Sequence, residues 1–117
     1  MYKLILHKNL SIETWLQYGK TRQVLMIANE VNRLINLRNK NYTQEELEEN
    51  FERTFELIDL TAETNRGNFL KELLRLREVI ADIYVHRKKI PDSTLSLLKI
   101  IYSTLVSLDK EAFALLM

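Results

Sequence analysis

The sequence predicts an all-α protein, packed as an antiparallel up-and-down four-helix bundle of three long helices and a shorter N-terminal helix. Only two glycines and one proline interrupt its 117 residues, and hydrophobic residues make up 46% of them. These apolar residues recur at the i, i+3, i+4 spacing of amphipathic helices, and short polar connections separate the segments. Helices joined in this way pack most economically in alternating directions. We expect one domain over residues 1–117, because a chain of this length can bury a core without a disulfide or a metal.

The first expected element is a short helix in the N-terminal part of the sequence. Ser11 is a favourable N-cap, and Gly19 is a suitable C-terminal stop. Between them, Ile12, Trp15 and Leu16 share one helix face. We expect Trp15 to anchor this helix against the rest of the chain.

The next two segments have long helical patterns. Thr21 is the expected N-cap of a helix that continues to about Arg38. Its apolar face consists of Val24, Ile27, Ala28, Val31, Leu34 and Ile35. Thr43 and Glu46 form a T-x-x-E capping box, which predicts where the following helix begins. The expected core stripe of that helix consists of Leu47, Phe51, Thr54, Phe55, Ile58 and Ala62.

The C-terminal half contains two further helical patterns. Asn68 is the expected N-cap of the first, which continues to about His86. Its apolar face consists of Leu70, Leu73, Leu74, Ile80, Ala81 and Tyr84. Asp92 or Ser93 caps the second, whose pattern can continue past Asp109. The stripe of this last helix consists of Leu95, Leu98, Ile101, Tyr102, Leu105 and Leu108.

Charge is distributed unevenly along the chain, although the net charge is only +1. Residues 1–40 contain seven Lys or Arg against two acids, residues 41–63 one against eight, and residues 64–117 nine against six. Basic residues near the helix ends offer a possible patch for the phosphates of RNA or another nucleic acid. They are Arg33, Arg38, Lys40, Arg75, Arg87, Lys88 and Lys89. We favour pairing of these residues with the acidic segment, because the pI is only about 8.0 and no RNA-binding motif is present.

The residue types argue against enzymatic chemistry. The chain has no cysteine, which excludes a disulfide, a thiolate nucleophile and a cysteine metal site. It also lacks a G-x-S-x-G elbow, a phosphate-binding glycine loop and the Glu-x-x-His motif of di-iron bundles. Asp82 and His86 have the i, i+4 spacing of two metal ligands, but a metal site usually needs three or four. We therefore expect no enzyme activity, no catalytic residue, no cofactor and no metal site.

The apolar segments are too short for a membrane. The N-terminal YKLILHK is shorter than a signal peptide, and no apolar run approaches the about 20 residues that cross a bilayer. We expect a cytoplasmic protein with no membrane partner.

One arginine lies in the middle of a predicted apolar face. At about 100° per residue, Arg77 falls among the leucines of its helix, where an unpaired buried charge would cost several kcal/mol. Asp59, at the edge of the preceding helix's stripe, is the expected partner in a buried ion pair. Glu30 is a competing partner, and extension of the Arg77 side chain to solvent is the simpler alternative.

Several residues that lie off the core stripes are candidates for a protein interface. They are Leu57, Leu60, Leu97, Ile100 and, on the neutral outward side of the last helix, Thr104. Between Asp92 and Asp109 the only charge is Lys99. A helix with so little charge is usually covered by another protein surface. We therefore expect self-association, most simply as a homodimer, or binding of another protein.

Three segments resemble a known family. HKNLS (7–11) with Trp15, FERTFELIDLT (51–61) and KELLRLRE (71–78) are similar to a family of small bacterial helical-bundle proteins described as hypothetical. The resemblance spans residues 7–86 and implies a compact helical domain, with no activity and no site residue. In layout the chain is also similar to the bundles encoded in ribosomal intervening sequences and to the oligomeric, basic accessory variability proteins of diversity-generating retroelements. That likeness supports RNA binding as the alternative to self-association.

Overall fold

The chain is helical in every part that the structure describes. The computed structural model describes residues 11–37, 41–85 and 92–116. These ranges form six helices and no strand: α1 (Ile12–Gln17), α2 (Lys20–Leu37), α3 (Gln44–Thr64), α4 (Gly67–Val85), α5 (Asp92–Ser107) and α6 (Lys110–Leu116). The all-α prediction is confirmed. No helix within these ranges has the length and apolar character needed to cross a membrane.

The set of helices differs from the prediction. Four helices, α2 to α5, are long, with 16 to 21 residues each. Helices α1 and α6 have only six and seven residues. The expected count of three long helices and one shorter N-terminal helix is not confirmed, because the described ranges contain four long helices and two short ones. The Cα radius of gyration is 13.8 Å, close to the about 13 Å of a compact 100-residue domain.

The core lies along α2. This helix packs against α3, α5 and α6, and α4 packs against α3 and α5. The apolar face predicted for α2 is buried, since Val24, Ile27, Ala28, Val31 and Leu34 are fully covered. Each fully buried valine, leucine or isoleucine contributes about 1.5–3 kcal/mol relative to an exposed one. Helices α3, α5 and α6 therefore pack directly against α2, whereas α4 packs against α3 and α5.

Two predicted helix starts are confirmed by side-chain hydrogen bonds. The Ser11 Oγ accepts from the backbone N–H of Thr14 at 3.1 Å, at the start of α1. The Thr43 Oγ1 accepts from the backbone N–H of Glu46 at 3.1 Å, at the start of α3. Each cap supplies an acceptor to a backbone donor that has no partner within its own helix.

Two other predicted starts are wrong. Helix α2 begins at Lys20, so Thr21 lies inside its first turn instead of capping it. Helix α4 begins at Gly67, one residue before the expected cap Asn68. Gly67 has a φ of +76°, which glycine adopts without the steric cost that a side chain would add. This residue turns the chain from α3 into α4.

A buried polar network attaches α1 to α2 and α3. Trp15 is fully buried, and its indole Nε1–H donates to the Thr61 Oγ1 of α3 at 3.0 Å. The Gln23 Nε2 donates to the Trp15 carbonyl at 2.8 Å, and the Gln23 Oε1 accepts from the Asn65 Nδ2 at 3.0 Å. Because a buried polar group costs free energy unless it is hydrogen-bonded, this network favours one position of α1. Leu16, on the predicted apolar face of α1, is exposed.

The apolar pattern of the last segment continues past Asp109, but in a separate helix. Helix α5 ends at Ser107, and the Asp109 Oδ2 accepts from the backbone N–H of Ala112 at 3.1 Å as the N-cap of α6. The same oxygen accepts from the Thr21 hydroxyl of α2 at 2.6 Å. Asp109 therefore caps α6 and also ties it to α2.

Candidate interaction surface

The outward side of α5 combines exposed apolar side chains with an absence of charge. We call it the α5 outer face, and it consists of Ser96, Leu97, Ile100, Ser103, Thr104 and Ser107. Ile100 is 61% exposed and Leu97 is 37% exposed. The outward side of a solvated helix normally carries charged residues. This neutral surface is therefore a candidate for contact with another protein.

The opposite side of α5 determines where this face points. Its buried residues are Leu98, Ile101, Leu105 and Val106, and α5 packs against α2, α4 and α6. One hydroxyl of the outer face is satisfied within the helix, since the Ser107 Oγ donates to the Ser103 carbonyl at 2.7 Å. A hydroxyl that is bonded internally can be covered by a partner without leaving an unpaired donor.

Helix α6 presents a second group of exposed apolar residues. Phe113, Leu115 and Leu116 are all exposed, whereas Ala112 is the buried residue of this helix. Because α6 packs against α5 and α2, it adds apolar surface at the C-terminal end of α5. The sequence predicts this segment as a continuation of α5 and does not indicate a surface there.

Two of the five predicted interface residues lie in the core. Leu57 is 1% exposed and Leu60 is fully buried, so the prediction that they form a surface contact is wrong. Helix α3 packs against α1, α2 and α4, and it therefore buries two faces instead of one. Leu57 and Leu60 share the second face with Thr61, which bonds to Trp15 of α1. The other predicted residues lie on the α5 outer face: Leu97, Ile100 and Thr104.

Arg77 of α4 and Asp59 of α3 form a two-pronged ion pair. The Arg77 Nε donates to Asp59 Oδ1 at 2.5 Å, and Nη2 donates to Oδ2 at 3.1 Å. The guanidinium carbon lies 4.9 Å from the ring centroid of Phe55, one turn before Asp59. The side chains are 36% and 30% exposed, so the pair is half-buried and not buried as expected. Glu30, the alternative partner, has the Arg33 Nη1 3.6 Å from its Oε1.

Two residues of the possible nucleic-acid patch lie in the described ranges. Arg33 and Arg75 are both exposed, and each lies beside a carboxylate of its own helix. The Nη1 atoms are 3.6 Å from Glu30 Oε1 and 3.3 Å from Glu72 Oε1. The rest of the patch lies outside the described residues: Arg38, Lys40, Arg87, Lys88 and Lys89.

A polar cavity of about 420 Å³ lies between the end of α2 and the beginning of α3. It is lined by Arg33, Asn36, Leu37, Glu46, Glu49, Asn50 and Arg53. The Arg53 Nη2 lies 3.2 Å from Glu49 Oε1, and Arg33 lies beside Glu30, so both guanidinium groups have carboxylate neighbours.

In the ranges described, no three His, Cys, Asp or Glu side chains are grouped to hold a metal ion. His86, one of the two spaced candidate ligands, lies outside them.

No family model and no curated protein matches the chain, and no solved structure matches it. Within the described ranges, the α5 outer face combines exposed apolar residues with an absence of charge. Exposed apolar groups among serines and threonines suit it to contact with a protein.

Proposed function

We propose that this chain is a non-enzymatic helical protein that acts by self-association, with the α5 outer face as its main contact surface. The observation that carries the proposal is the exposure of Ile100 and Leu97 on a helix side whose other members are serine and threonine. Burying apolar surface contributes roughly 25 cal/mol per Å². Small hydroxyl side chains cost less to remove from water than lysine or glutamate. Covering this side of α5 is therefore favourable.

We also propose that the long helices form an up-and-down four-helix bundle. Helices α2, α3, α4 and α5 contact one another in a closed ring, in which each packs against the one before and the one after it. Such a ring with short connections is the arrangement of an up-and-down four-helix bundle, to which α1 and α6 are additions. The outward sides of α2, α3 and α4 carry exposed arginine, lysine and glutamate residues. The α5 outer face is the neutral side of the bundle.

Nucleic-acid binding is the less favoured alternative. Arg33 and Arg75 each lie beside a glutamate, which lowers the positive potential that they offer to phosphates. The exposed apolar side chains of α5 contribute nothing to phosphate binding, but they are what a protein contact requires.

Analytical ultracentrifugation of the purified chain over micromolar concentrations tests the proposal. We expect a reversible dimer, and we expect Ile100→Arg to shift the protein toward the monomer by placing a charge in the contact. Leu16→Arg is the matched control, because it adds the same charge to another exposed leucine, on α1, and should leave the dimer intact.

A strict monomer at high micromolar concentration would overturn self-association. A dimer that Ile100→Arg and Leu16→Arg leave equally intact would remove the α5 outer face from the contact. Binding of labelled RNA at low salt that weakens steeply as salt is added would support the alternative function instead.

A further inference from the structure

We propose that α6 is a cover hinged at Leu108 and Asp109, which opens and closes as a unit while α2 to α5 remain folded. The proposal concerns motion within one chain and does not depend on the self-association proposed above. It starts from the small part of α6 that is packed. Six of its seven residues are exposed, and the exception is Ala112. Opening of α6 therefore removes only one small apolar side chain of its own from the core.

Polar contacts with the first turn of α2 hold α6 closed. The Thr21 hydroxyl lies 2.6 Å from Asp109 Oδ2 and 3.2 Å from Glu111 Oε2, and the Lys20 Nζ lies 3.9 Å from Asp109 Oδ1. Asp109 Oδ2 also accepts from the backbone N–H of Ala112, so the same oxygen caps α6. The described side chains after Ala112 are apolar and make no such bond. All of these contacts therefore lie beside the hinge.

The closed α6 lies over a side of α5 that is exposed farther from the hinge. Val106 is fully buried, although it lies off the core stripe of Leu98, Ile101 and Leu105. Seven residues earlier, Lys99 points within about 20° of the direction of Val106 and is exposed. Helix α6 begins four residues after Val106 and packs against α5, which places it over this end of the helix. We therefore expect Val106 to become accessible when α6 opens.

Opening of α6 alone costs less free energy than unfolding of the whole chain. Complete unfolding exposes the entire core, which contains 20 buried apolar residues in the described ranges. Opening of α6 exposes Ala112 and Val106 and breaks the contacts of Asp109. Elements with few buried contacts open at a lower free energy than the whole protein unfolds. We therefore expect α6 to open in the wild type under native conditions.

Thiol labelling measures this opening directly, because the chain has no cysteine of its own. Val106→Cys places a thiol beneath α6, and Val31→Cys places one at another fully buried valine, in the middle of α2. Both variants are labelled with DTNB at low urea concentrations, after circular dichroism has verified their helicity. We expect Val106→Cys to react at least about tenfold faster than Val31→Cys. Its rate should hardly change with urea, because local opening exposes little surface, whereas the rate of Val31→Cys should rise steeply.

Two further variants test the role of Asp109 in the Val106→Cys background. Asp109→Ala removes the cap and the acceptor of Thr21, so labelling should become about 5–30-fold faster, the factor expected for loss of an N-cap. Asp109→Asn keeps a side-chain oxygen that can accept both bonds, since Oδ2 alone accepts both in the native protein. It loses only the charge beside Lys20, so labelling should increase by less than about threefold.

Equal labelling rates of Val106→Cys and Val31→Cys, with the same dependence on urea, would show that α6 opens only when the whole chain unfolds and would overturn the proposal. If Val106→Cys does not fold, Ala112→Cys places the thiol on α6 itself, and the same comparison applies. Equal rates in Asp109→Ala and Asp109→Asn would overturn the role of Asp109 in holding α6 closed. Self-association is tested separately by sedimentation.

Discussion

The hydrogen bond from Trp15 to Thr61 fixes the fully buried indole of α1 to α3. Replacing Thr61 with valine keeps the size of the side chain but removes the acceptor of the indole N–H. A buried donor without an acceptor loses its hydrogen bond to water, and no hydrogen bond within the protein replaces it. We therefore expect Thr61→Val to lower the free energy of unfolding by about 1–3 kcal/mol. Urea denaturation followed by the fluorescence of the single tryptophan measures this change.

Thr54 provides a matched control in the same helix. It is also fully buried, and its hydroxyl donates to the Asn50 carbonyl one turn earlier. Such a bond supplements a carbonyl that the helix backbone already uses, so Thr54→Val should change the free energy of unfolding by less than about 0.5 kcal/mol. Equal losses in Thr54→Val and Thr61→Val would show that the bond to Trp15 contributes no more than an ordinary threonine hydroxyl.

The Arg77–Asp59 pair should contribute more than an ordinary surface ion pair. Its geometry is two-pronged, and the guanidinium group also lies over the Phe55 ring. In a double-mutant cycle of Arg77→Ala and Asp59→Ala, we expect a coupling of about 1 kcal/mol, at the upper end of exposed pairs.

The matched cycle uses Arg75→Ala and Glu72→Ala, which break an exposed pair within α4. We expect a coupling of only about 0.2–0.5 kcal/mol there. If the two cycles give the same coupling, the contact between α3 and α4 adds nothing beyond surface attraction.

Single residues show which features the sequence could predict. The sequence indicates Asp59 as a candidate partner of Arg77, beside Glu30, because a charge on an apolar face restricts the choice of partners. The half-exposure of the pair was missed, since the Phe55 ring that supports the guanidinium group belongs to the neighbouring helix. The bond from Thr61 to Trp15 spans 46 residues, and no local pattern indicates it.

At the scale of helices, Asp109 connects α6 to the rest of the protein in two ways. Ala112 is its buried residue, whereas the Asp109 carboxylate both caps the helix and accepts from Thr21 of α2. We expect Asp109→Ala to reduce stability by about 1–2 kcal/mol, as loss of an N-cap does. We also expect the backbone amides of α6 to lose hydrogen-exchange protection before those of α2, because α6 would open locally.

Thr21→Val separates the two roles of Asp109. It removes the hydrogen bonds of Thr21 to Asp109 and to Glu111 of α6, but keeps the cap and the Lys20–Asp109 ion pair, so the amides of α6 should lose less protection than in Asp109→Ala. Protection of α6 that is the same in Asp109→Ala and in the wild type would show that packing alone holds this helix.

Helix boundaries were predictable where the determinant is local. Ser11 and Thr43 cap through N–H groups only three residues away, and both were identified. Thr21 has the same residue type, but its hydroxyl is used by Asp109, 88 residues later in the chain. The sequence predicts Leu57 and Leu60 on the surface, because the apolar pattern of one helix gives no information on how many neighbouring helices surround it. Their burial follows from the packing of α3 against three other helices.

For the molecule as a whole, the exposed large apolar residues of the described ranges lie on α1, α4, α5 and α6, and α4 carries three of them: Leu74, Val79 and Val85. Ile100 and Leu97 lie on α5, and three large apolar residues lie on the short α6 that packs against it. The neutral character of α5 was predictable, because the absence of charge is a property of the sequence itself. The exposure of the apolar residues of α6 was not predictable, because it depends on where the chain turns after α5.

Self-association has a thermodynamic consequence that can be measured on the unmodified chain. If the native state is a dimer and the unfolded state is not, mass action raises the stability of the native state with concentration. We expect the apparent melting temperature of the wild type to rise by about 2–4 °C for each tenfold increase in protein concentration. Ile100→Arg should melt at a temperature independent of concentration, and Leu16→Arg should follow the wild type. A wild-type melting temperature that does not depend on concentration, over the range in which sedimentation detects dimer, would mean that dimerisation adds no stability to the fold.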